Sequence, residues 1–235
     1  MKALVLAAGL GTRLRDIAPD TPKPLMEIDG VPLLKITIEK LFKLGVSDII
    51  INTHYLHQQI EDFVSQQTYR DKIKLVYEPE LLGTAGTLKK NFSELENSDF
   101  FILHGDNYFA DSLQKLLSHH RASGDDVLVS MGTFMVDDPK DFGTVNVDGN
   151  SIVTEYFEKN PRSVFRTANS AIYIMKPAIT KYLQDMSEKE NDLSRDLIPK
   201  LVNKILTVPL DGFFLDIGTP ENYRLAMGLQ AQALE

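Results

Sequence analysis

No cysteine occurs among the 235 residues, which removes disulfides and thiolate chemistry from consideration. Nor does any apolar run approach the ~20 residues that a membrane-spanning helix needs. The opening MKALVLAAGL superficially resembles a short signal peptide. Its apolar part lasts only about eight residues and leads straight into Gly-Thr-Arg-Leu-Arg, so it reads as a buried strand. Positive charge is also in short supply: 25 Lys and Arg stand against 33 Asp and Glu, a net charge of −8. That balance lacks the basic stripe of a general nucleic-acid binder. No stretch rich in Gly, Ser or Pro separates the chain into parts, and neither an internal repeat nor a low-complexity segment is present. A cytoplasmic protein with no nucleic-acid or membrane partner is the expectation, and a homo-oligomer is compatible with it. The apolar fraction of 43% is enough for a substantial core.

Apolar runs alternate with amphipathic stretches. Strands are expected at Lys2–Ala8, Asp48–Asn52, Ile73–Tyr77, Phe100–His104 and Val127–Thr133. Helices are expected at Pro32–Leu44, stopping at Gly45, at Leu56–Ser65, from Thr84, and at Asp111–Arg121 with Asp111 as N-cap. This alternation predicts an α/β fold, a three-layer α/β/α Rossmann-like arrangement around a mixed, mainly parallel sheet. After about residue 140 the pattern changes. Phe142–Val147 and Ile152–Phe157 flank Asp148-Gly149-Asn150, a hairpin signal. Strands at Arg166–Met175, Ile205–Pro209 and Phe213–Asp216 mix with helices at Pro177–Met186, Ser194–Asn203 and Thr219–Gln230. One domain spanning 1–235 is expected, with one lobe at 1–135 and a small α+β lobe at 136–235.

The first strand empties into a long loop that is locally basic, with Arg13, Arg15 and Lys23 against Asp16 and Asp20. After Leu6, the small residues at the strand end (Ala7, Ala8, Gly9) allow close approach of another molecule. Gly9 and Gly11 can turn backbone amides into an anion-binding concavity. Arg13 adds a permanently charged fork suited to phosphate oxygens, and Lys23 a point charge stiffened by Pro22 and Pro24. Two familiar phosphate motifs are missing. There is no G-x-x-x-x-G-K-[ST], and the third position of a G-x-G-x-x-G fingerprint is occupied by Leu14.

The string Gly9-Leu10-Gly11-Thr12-Arg13, followed by Thr21-Pro22-Lys23-Pro24-Leu25, resembles the signature of the sugar-1-phosphate nucleotidyltransferases, or nucleotide-sugar pyrophosphorylases. The resemblance extends from Met1 to about Tyr223. Many members carry proline a few positions after the arginine; here the run is Arg13-Leu14-Arg15-Asp16-Ile17-Ala18-Pro19, which is more similar to the heptose-1-phosphate guanylyltransferase branch. The resemblance implies transfer of a nucleotidyl group from a nucleoside triphosphate to a sugar 1-phosphate. Pyrophosphate would leave, Mg²⁺ would assist, and the product would serve cell-surface polysaccharide biosynthesis. Longer relatives carry a C-terminal β-helix, and none is expected here.

Carried over residue by residue, the resemblance gives Arg13 and Lys23 to the triphosphate. Asp106 in Phe101–Asn107 (FILHGDN) and Asp216 in Phe213–Pro220 (FFLDIGTP) each follow an apolar strand, where a carboxylate can hold a cation over a ligand. The resemblance makes them the Mg²⁺ ligands, with Asn107 beside the acceptor. Glu78, Gly83, Thr84, Ala85 and Gly86 fall in EPELLGTAGTL, a segment that binds the base in the family. Its G-T-A-G is similar to mannose-type and heptose-type guanylyltransferases, which implies GTP. Related strings occur in cytidylyltransferases and uridylyltransferases, so those enzymes, acting on a sugar phosphate or on phosphocholine, stand as the alternative. Gly143, Glu158 and Lys159 lie in DFGTV and YFEKN, the latter similar to a sugar-phosphate-binding E-K-P element with the proline displaced by one. Asn169 in TANSAIY resembles a sugar-contacting N-x-G-x-Y strand, with Ser170 and Ala171 where glycine is common. Of the histidines, His54 is a candidate for the base pocket, and His119 and His120 are expected on a helix surface.

Overall fold

A computed structural model describes residues 1–233; residues 234–235, the end of the expected second lobe, lie outside the described residues. In chain order, the first elements are β1 (Lys2–Leu6), β2 (Glu27–Ile28), β3 (Val31–Pro32), α1 (Leu33–Lys43), β4 (Ile49–Thr53), α2 (His57–Ser65) and β5 (Ile73–Tyr77). Then come α3 (Thr84–Leu95), β6 (Phe100–His104), β7 (Asn107–Phe109), α4 (Gln114–Ala122) and β8 (Val129–Met135). The remainder is β9 (Gly143–Val147), β10 (Val153–Glu158), β11 (Thr167–Met175), α5 (Thr180–Gln184), β12 (Ile205–Pro209), β13 (Phe214–Asp216) and α6 (Pro220–Ala233). The fold is α/β with strands of mixed sense, and no β-helix occurs among the described residues.

The chain forms two compact units that are interleaved in sequence rather than divided near residue 135. One, called here the amino-terminal unit, comprises Ala3–Leu81, His104–Ala110 and Gly212–Glu235. The other, the central unit, comprises Met1–Lys2, Leu82–Leu103 and Asp111–Asp211.

In the amino-terminal unit β1, β4 and β5 are parallel, with Ala3 opposite Ile49 and Ile49 opposite Ile73. β1 and β4 are apolar on both faces, as strands covered on both sides must be. α1 buries Leu33, Leu34, Thr37, Ile38 and Leu41, a stripe of helical period. It ends as its sequence predicts. Gly45 takes φ 84°, its amide donates to the Phe42 carbonyl, and the Val46 amide donates to the Leu41 carbonyl. This is a Schellman cap, which needs a left-handed residue. The last segment of the chain returns to this unit. β13 pairs antiparallel with β7, and Ile217 and Ala226 join Leu14, Met26, Ile28, Leu33 and Tyr108 in one buried cluster. Removing those side chains from water at ~25 cal/mol per Å² outweighs any tendency of the segment to stay with its neighbours in sequence.

In the central unit β11 is antiparallel to β6, β8 and β9, and β12 runs parallel to β8. β9 and β10 form the expected hairpin. Asp148 organises its turn by accepting from the Asn150 and Ile152 amides, and Ser151, rather than Gly149, takes the left-handed conformation at φ 64°. The pairing of β11 with β8 shifts between Asn169 and Tyr173. Ala171, at the position where glycine is common in the family signature, sits inside that bulge at φ 55°.

Several expected helices change form. α4 starts at Gln114, because the Asp111 carboxylate accepts from the amides of Leu113 and Asp211 and so closes a turn ahead of the helix. Pro177–Met186 resolves into a 3₁₀ turn and the short α5. The expected helix at Ser194–Asn203 is a wide turn at Leu193–Leu197 followed by a 3₁₀ turn at Ile198–Leu201; Pro199 has no amide hydrogen to continue an α-helical ladder. His119 is exposed on α4 as expected, but His120 is only 2% exposed. Its ring is held between Ser130 Oγ (2.9 Å) and Asp99 Oδ2 (3.1 Å).

Candidate active site

Within the amino-terminal unit, the carboxyl ends of β1, β4 and β5 are tied together by polar side chains. The Ala7 amide donates to Asn52 Oδ1 (2.8 Å), and Asn52 Nδ2 donates to Glu78 Oε1 (3.1 Å). The Glu78 amide in turn donates to the Thr53 carbonyl, and the Glu78 carbonyl meets His54 Nδ1 at 2.7 Å. Glu78 is 1% exposed. It holds the strand ends in place, and its carboxylate is not presented at the surface. Leu6, Ala7 and Ala8 are buried, whereas Gly9, Thr12 and Arg13 are exposed.

The loop after β1 folds back on the stem of Lys23. Gly11 takes φ 61°, and a side chain there would stand 3.1 Å from Lys23 Cγ. Leu14, 2% exposed, anchors the loop in the core cluster and leaves Arg13 outside. Asp106 follows Gly105, whose amide donates to the Leu6 carbonyl (2.9 Å), so the turn carrying Asp106 is fastened to the end of β1. Asp216 closes β13, directly opposite Asn107 of β7, which is itself buried.

These pieces meet at one place. Lys23 Nζ lies 2.6 Å from Asp106 Oδ2 and 3.9 Å from Asp216 Oδ1. The Gly218 amide donates to Asp216 Oδ1 at 2.8 Å. A side chain on Gly218 would stand 2.7 Å from Arg13 Nη2, 2.9 Å from Asp216 Oδ1 and 3.2 Å from Lys23 Nζ. Burial alone would push the Asp106 carboxyl up. The adjacent Lys23 ammonium and His104, 3.9 Å away, outweigh burial and hold it below the usual carboxylate range. Arg13, Lys23 and Asp216, far apart in sequence, thus meet around Gly218, and Asp106 joins the charged cluster through Lys23. Two carboxylates already share one cation here, which is the arrangement a divalent ion with phosphate co-ligands requires. Among the described residues no group of three or more His, Asp or Glu forms a self-sufficient metal cage.

The central unit holds the other predicted residues. At the start of α3, the Ala85 and Gly86 amides both donate to the Asn191 carbonyl, at 2.8 and 3.4 Å. Thr84 Oγ1 accepts from the Leu193 amide (2.7 Å). Gly83, at φ 75°, lets Asn191 come so close that any side chain there would overlap it. In this segment, which the resemblance gives to the base, the Ala85 and Gly86 amides are therefore satisfied by a neighbouring loop. Gly143 lies opposite Glu158 in the β9–β10 pairing, and the space a side chain on it would fill is taken by the Tyr156 hydroxyl and the Glu158 carboxylate. Asn169 is 9% exposed. Its Nδ2 donates to the Tyr173 hydroxyl (2.7 Å) and its Oδ1 accepts from the Ala171 amide (2.8 Å). Lys159 is exposed at a left-handed turn, φ 44°, a conformation that costs a side-chain-bearing residue about 1–2 kcal/mol.

The model of the family described as "Nucleotidyl transferase" matches residues 2–232. The chain belongs to that nucleotidyl transferase family. The chain is 32% identical to the D-glycero-alpha-D-manno-heptose 1-phosphate guanylyltransferase of Aneurinibacillus thermoaerophilus, across 96% of each chain. It is 31% identical to mannose-1-phosphate guanyltransferase 2 of Candida glabrata, over 100% of this chain and 66% of the relative. The chain spans a little under two thirds of the length of the mannose-type relatives it matches. Its fold superposes with TM-score 0.78 on the crystal structure of HddC from Yersinia pseudotuberculosis complexed with GMP-PN, at 30% identity and covering 97% and 99% of the two chains.

Four residues that shape the candidate site in the structure carry little or no signal in the sequence. Asn52 ends an apolar strand with a polar residue, a weak cue to a carboxyl-end tether. Gly218 follows Asp216 by two positions, which could have been read as a close-approach glycine. Tyr156 shares a strand face with Glu158 by its i, i+2 spacing. Asn191 carries no local signal, since its role depends on a carbonyl delivered to α3 from a distant loop.

Proposed function

We propose that this chain transfers a guanylyl group from GTP to a sugar 1-phosphate of mannose or heptose type, giving a nucleotide sugar and pyrophosphate for cell-surface glycan synthesis. The observation that carries this reading is the meeting of Arg13, Lys23 and Asp216 around Gly218, with Asp106 paired to Lys23. The relatives named above, and a similar fold solved with GMP-PN, favour GTP over CTP and UTP.

The acceptor phosphate is already ionised, so it attacks the α-phosphorus without a general base. The chemical difficulty is the mutual repulsion of two anions and the charge that accumulates on departing pyrophosphate. Positioning and charge neutralisation then carry the rate. Arg13, exposed and fork-shaped, would take the β- and γ-phosphate oxygens. Lys23 would serve the α-phosphate region. Gly218, lacking a side chain, leaves the place where these charges meet open to phosphate. Asp106 and Asp216 fit a magnesium ion, because they converge on one cation, and an ion held by one or two carboxylates takes the rest of its ligands from phosphate oxygens and water. Bound there, magnesium would supply Lewis-acid neutralisation of phosphate charge. In the central unit Glu158 would accept hydroxyls of the acceptor, and Lys159, exposed at its strained turn, would pair with the acceptor phosphate. The chain's part in the reaction is thus electrostatic, and in-line displacement with inversion at phosphorus is the expected stereochemistry.

The test is pyrophosphate release from GTP, ATP, CTP and UTP, each with a panel of sugar 1-phosphates, with magnesium and with EDTA. Release is expected with GTP and manno-configured acceptors, and chelation should abolish it. Release from CTP with phosphocholine, or no release with any sugar phosphate, would overturn the reading.

A further inference from the structure

Tyr156 and Glu158 project from the same face of β10, over the space that Gly143 leaves open across the hairpin. The Tyr156 hydroxyl donates to Glu158 Oε2 at 2.6 Å. A tyrosine has a single proton to give, so this one is committed to the carboxylate. The hydroxyl oxygen faces Asn169 Nδ2 at 3.4 Å. That amide is itself fixed by the Tyr173 hydroxyl and the bulge at Ala171. Burial, with the negative charge of Glu158 nearby, raises the Tyr156 phenol far above its ordinary value, so the proton stays on tyrosine. Glu158 Oε1 has no hydrogen-bond partner among the described residues.

We propose that Tyr156 is a positioning residue that determines acceptor specificity. By occupying one oxygen of Glu158 and locking its rotamer, it leaves Oε1 as a fixed, acceptor-only contact that demands a hydroxyl donor from the sugar phosphate. A site built in this way discriminates against an analogue that lacks the hydroxyl, because the fixed carboxylate oxygen then loses the donor it is set to meet. Gly143 belongs to the same device: it makes room for the tyrosine–carboxylate pair, and that is a sufficient physical reason for glycine there. The inference rests on the reading of Glu158 as an acceptor contact.

Steady-state kinetics of the full chain with GTP, mannose 1-phosphate and the monodeoxy mannose 1-phosphates test it. Tyr156→Phe is expected to raise the KM for mannose 1-phosphate by about 10- to 100-fold, the usual weight of a hydrogen bond to a charged group. The KM for GTP should stay within about twofold, and discrimination against one deoxy analogue should fall at least about tenfold. A general packing defect would not produce that split. An unchanged acceptor KM in Tyr156→Phe, with a large rise in Glu158→Gln, would overturn the positioning role and leave the acceptor contact standing. An unchanged acceptor KM in Glu158→Gln would overturn the underlying reading. Should Tyr156→Phe fail to fold, 3-fluorotyrosine at position 156 keeps ring and hydroxyl but strengthens the donor. An acceptor KM shift of about threefold or more is expected there, and none would equally refute the proposal.

Discussion

Replacing Lys23 by methionine separates the two tasks of that side chain. Its ammonium lies 2.6 Å from Asp106 and 3.9 Å from Asp216, with side-chain exposures of 11% for Lys23, 19% for Asp106 and 49% for Asp216. The contact with Asp216 is half in water and contributes little. The contact with Asp106 is mostly buried. Removing one partner from a fully buried pair costs about 3–5 kcal/mol, chiefly because the other charge stays buried without a counter-charge. The residual exposure here lowers that figure to about 2–3 kcal/mol for Lys23→Met. Asp106→Asn should cost less, about 1 kcal/mol, because Lys23 can then turn to Asp216. The double variant should be better than the sum of the two by about 1.5 kcal/mol or more. Urea unfolding at pH 7.5 in EDTA measures all three. Additivity within about 0.5 kcal/mol would show that the pair is not coupled and would refute the reasoning. Turnover should respond separately. Loss of one charge-assisted phosphate contact costs on the order of 2–4 kcal/mol in a transition state, so Lys23→Met should fall by about two to three decades. Asp106→Asn should fall at least as far and lose much of its response to magnesium. Near-normal turnover in either variant would remove the residue from the chemistry.

Gly218→Ala tests the same cluster without altering a charge. Its new methyl would meet the mobile ends of Arg13, Lys23 and Asp216, so stability should change by less than about 1 kcal/mol while turnover falls about 10- to 100-fold; full activity would show that the charges do not need to meet there. His120, in the central unit, supplies a separate pH signature. Burial holds its imidazole below the ordinary range, against the opposing pull of Asp99. The folded pKa lies below the unfolded value of about 6.5, so the stability linked to neutral His120 is complete above that pH and is lost as pH falls below it, with a slope of at most about 1.4 kcal/mol per unit. Urea midpoints between pH 7.5 and 5 should therefore drop faster for the wild type than for His120→Gln, and parallel profiles would remove His120 as the cause.

Much of the scaffold was legible in local pattern. Apolar runs such as Ala3–Leu6 and Ile49–Ile51 name strands because a strand covered on both faces has no polar side. α1 and its Gly45 terminator, and the hairpin around Asp148-Gly149-Asn150, rest on backbone rules that act over a few residues. The cationic loop was legible for the same reason: glycines, Arg13 and Lys23 follow an apolar strand within about one loop length. Local pattern failed where the deciding partner was distant. A helix at Ser194–Asn203 looked regular from periodicity alone, yet Asp192 caps the turn that replaces it and the adjacent loop delivers the Asn191 carbonyl to α3. His120 looked like a surface residue beside His119, and only the meeting of α4 with Ser130 and Asp99 buries it.

The sequence by itself therefore determined most of the strands, the helices whose caps and apolar stripe are local, and which side chains carry the charge, because those follow from hydrophobic period, turn chemistry and residue type. Tertiary structure alone decided that the segment from Gly212 onward returns to the amino-terminal unit, that Gly218 is where Arg13, Lys23 and Asp216 meet, and that Tyr156 holds Glu158. Each of these depends on burial and on hydrogen-bond geometry between residues brought together from separate segments, and neither quantity is encoded in any single stretch of the chain.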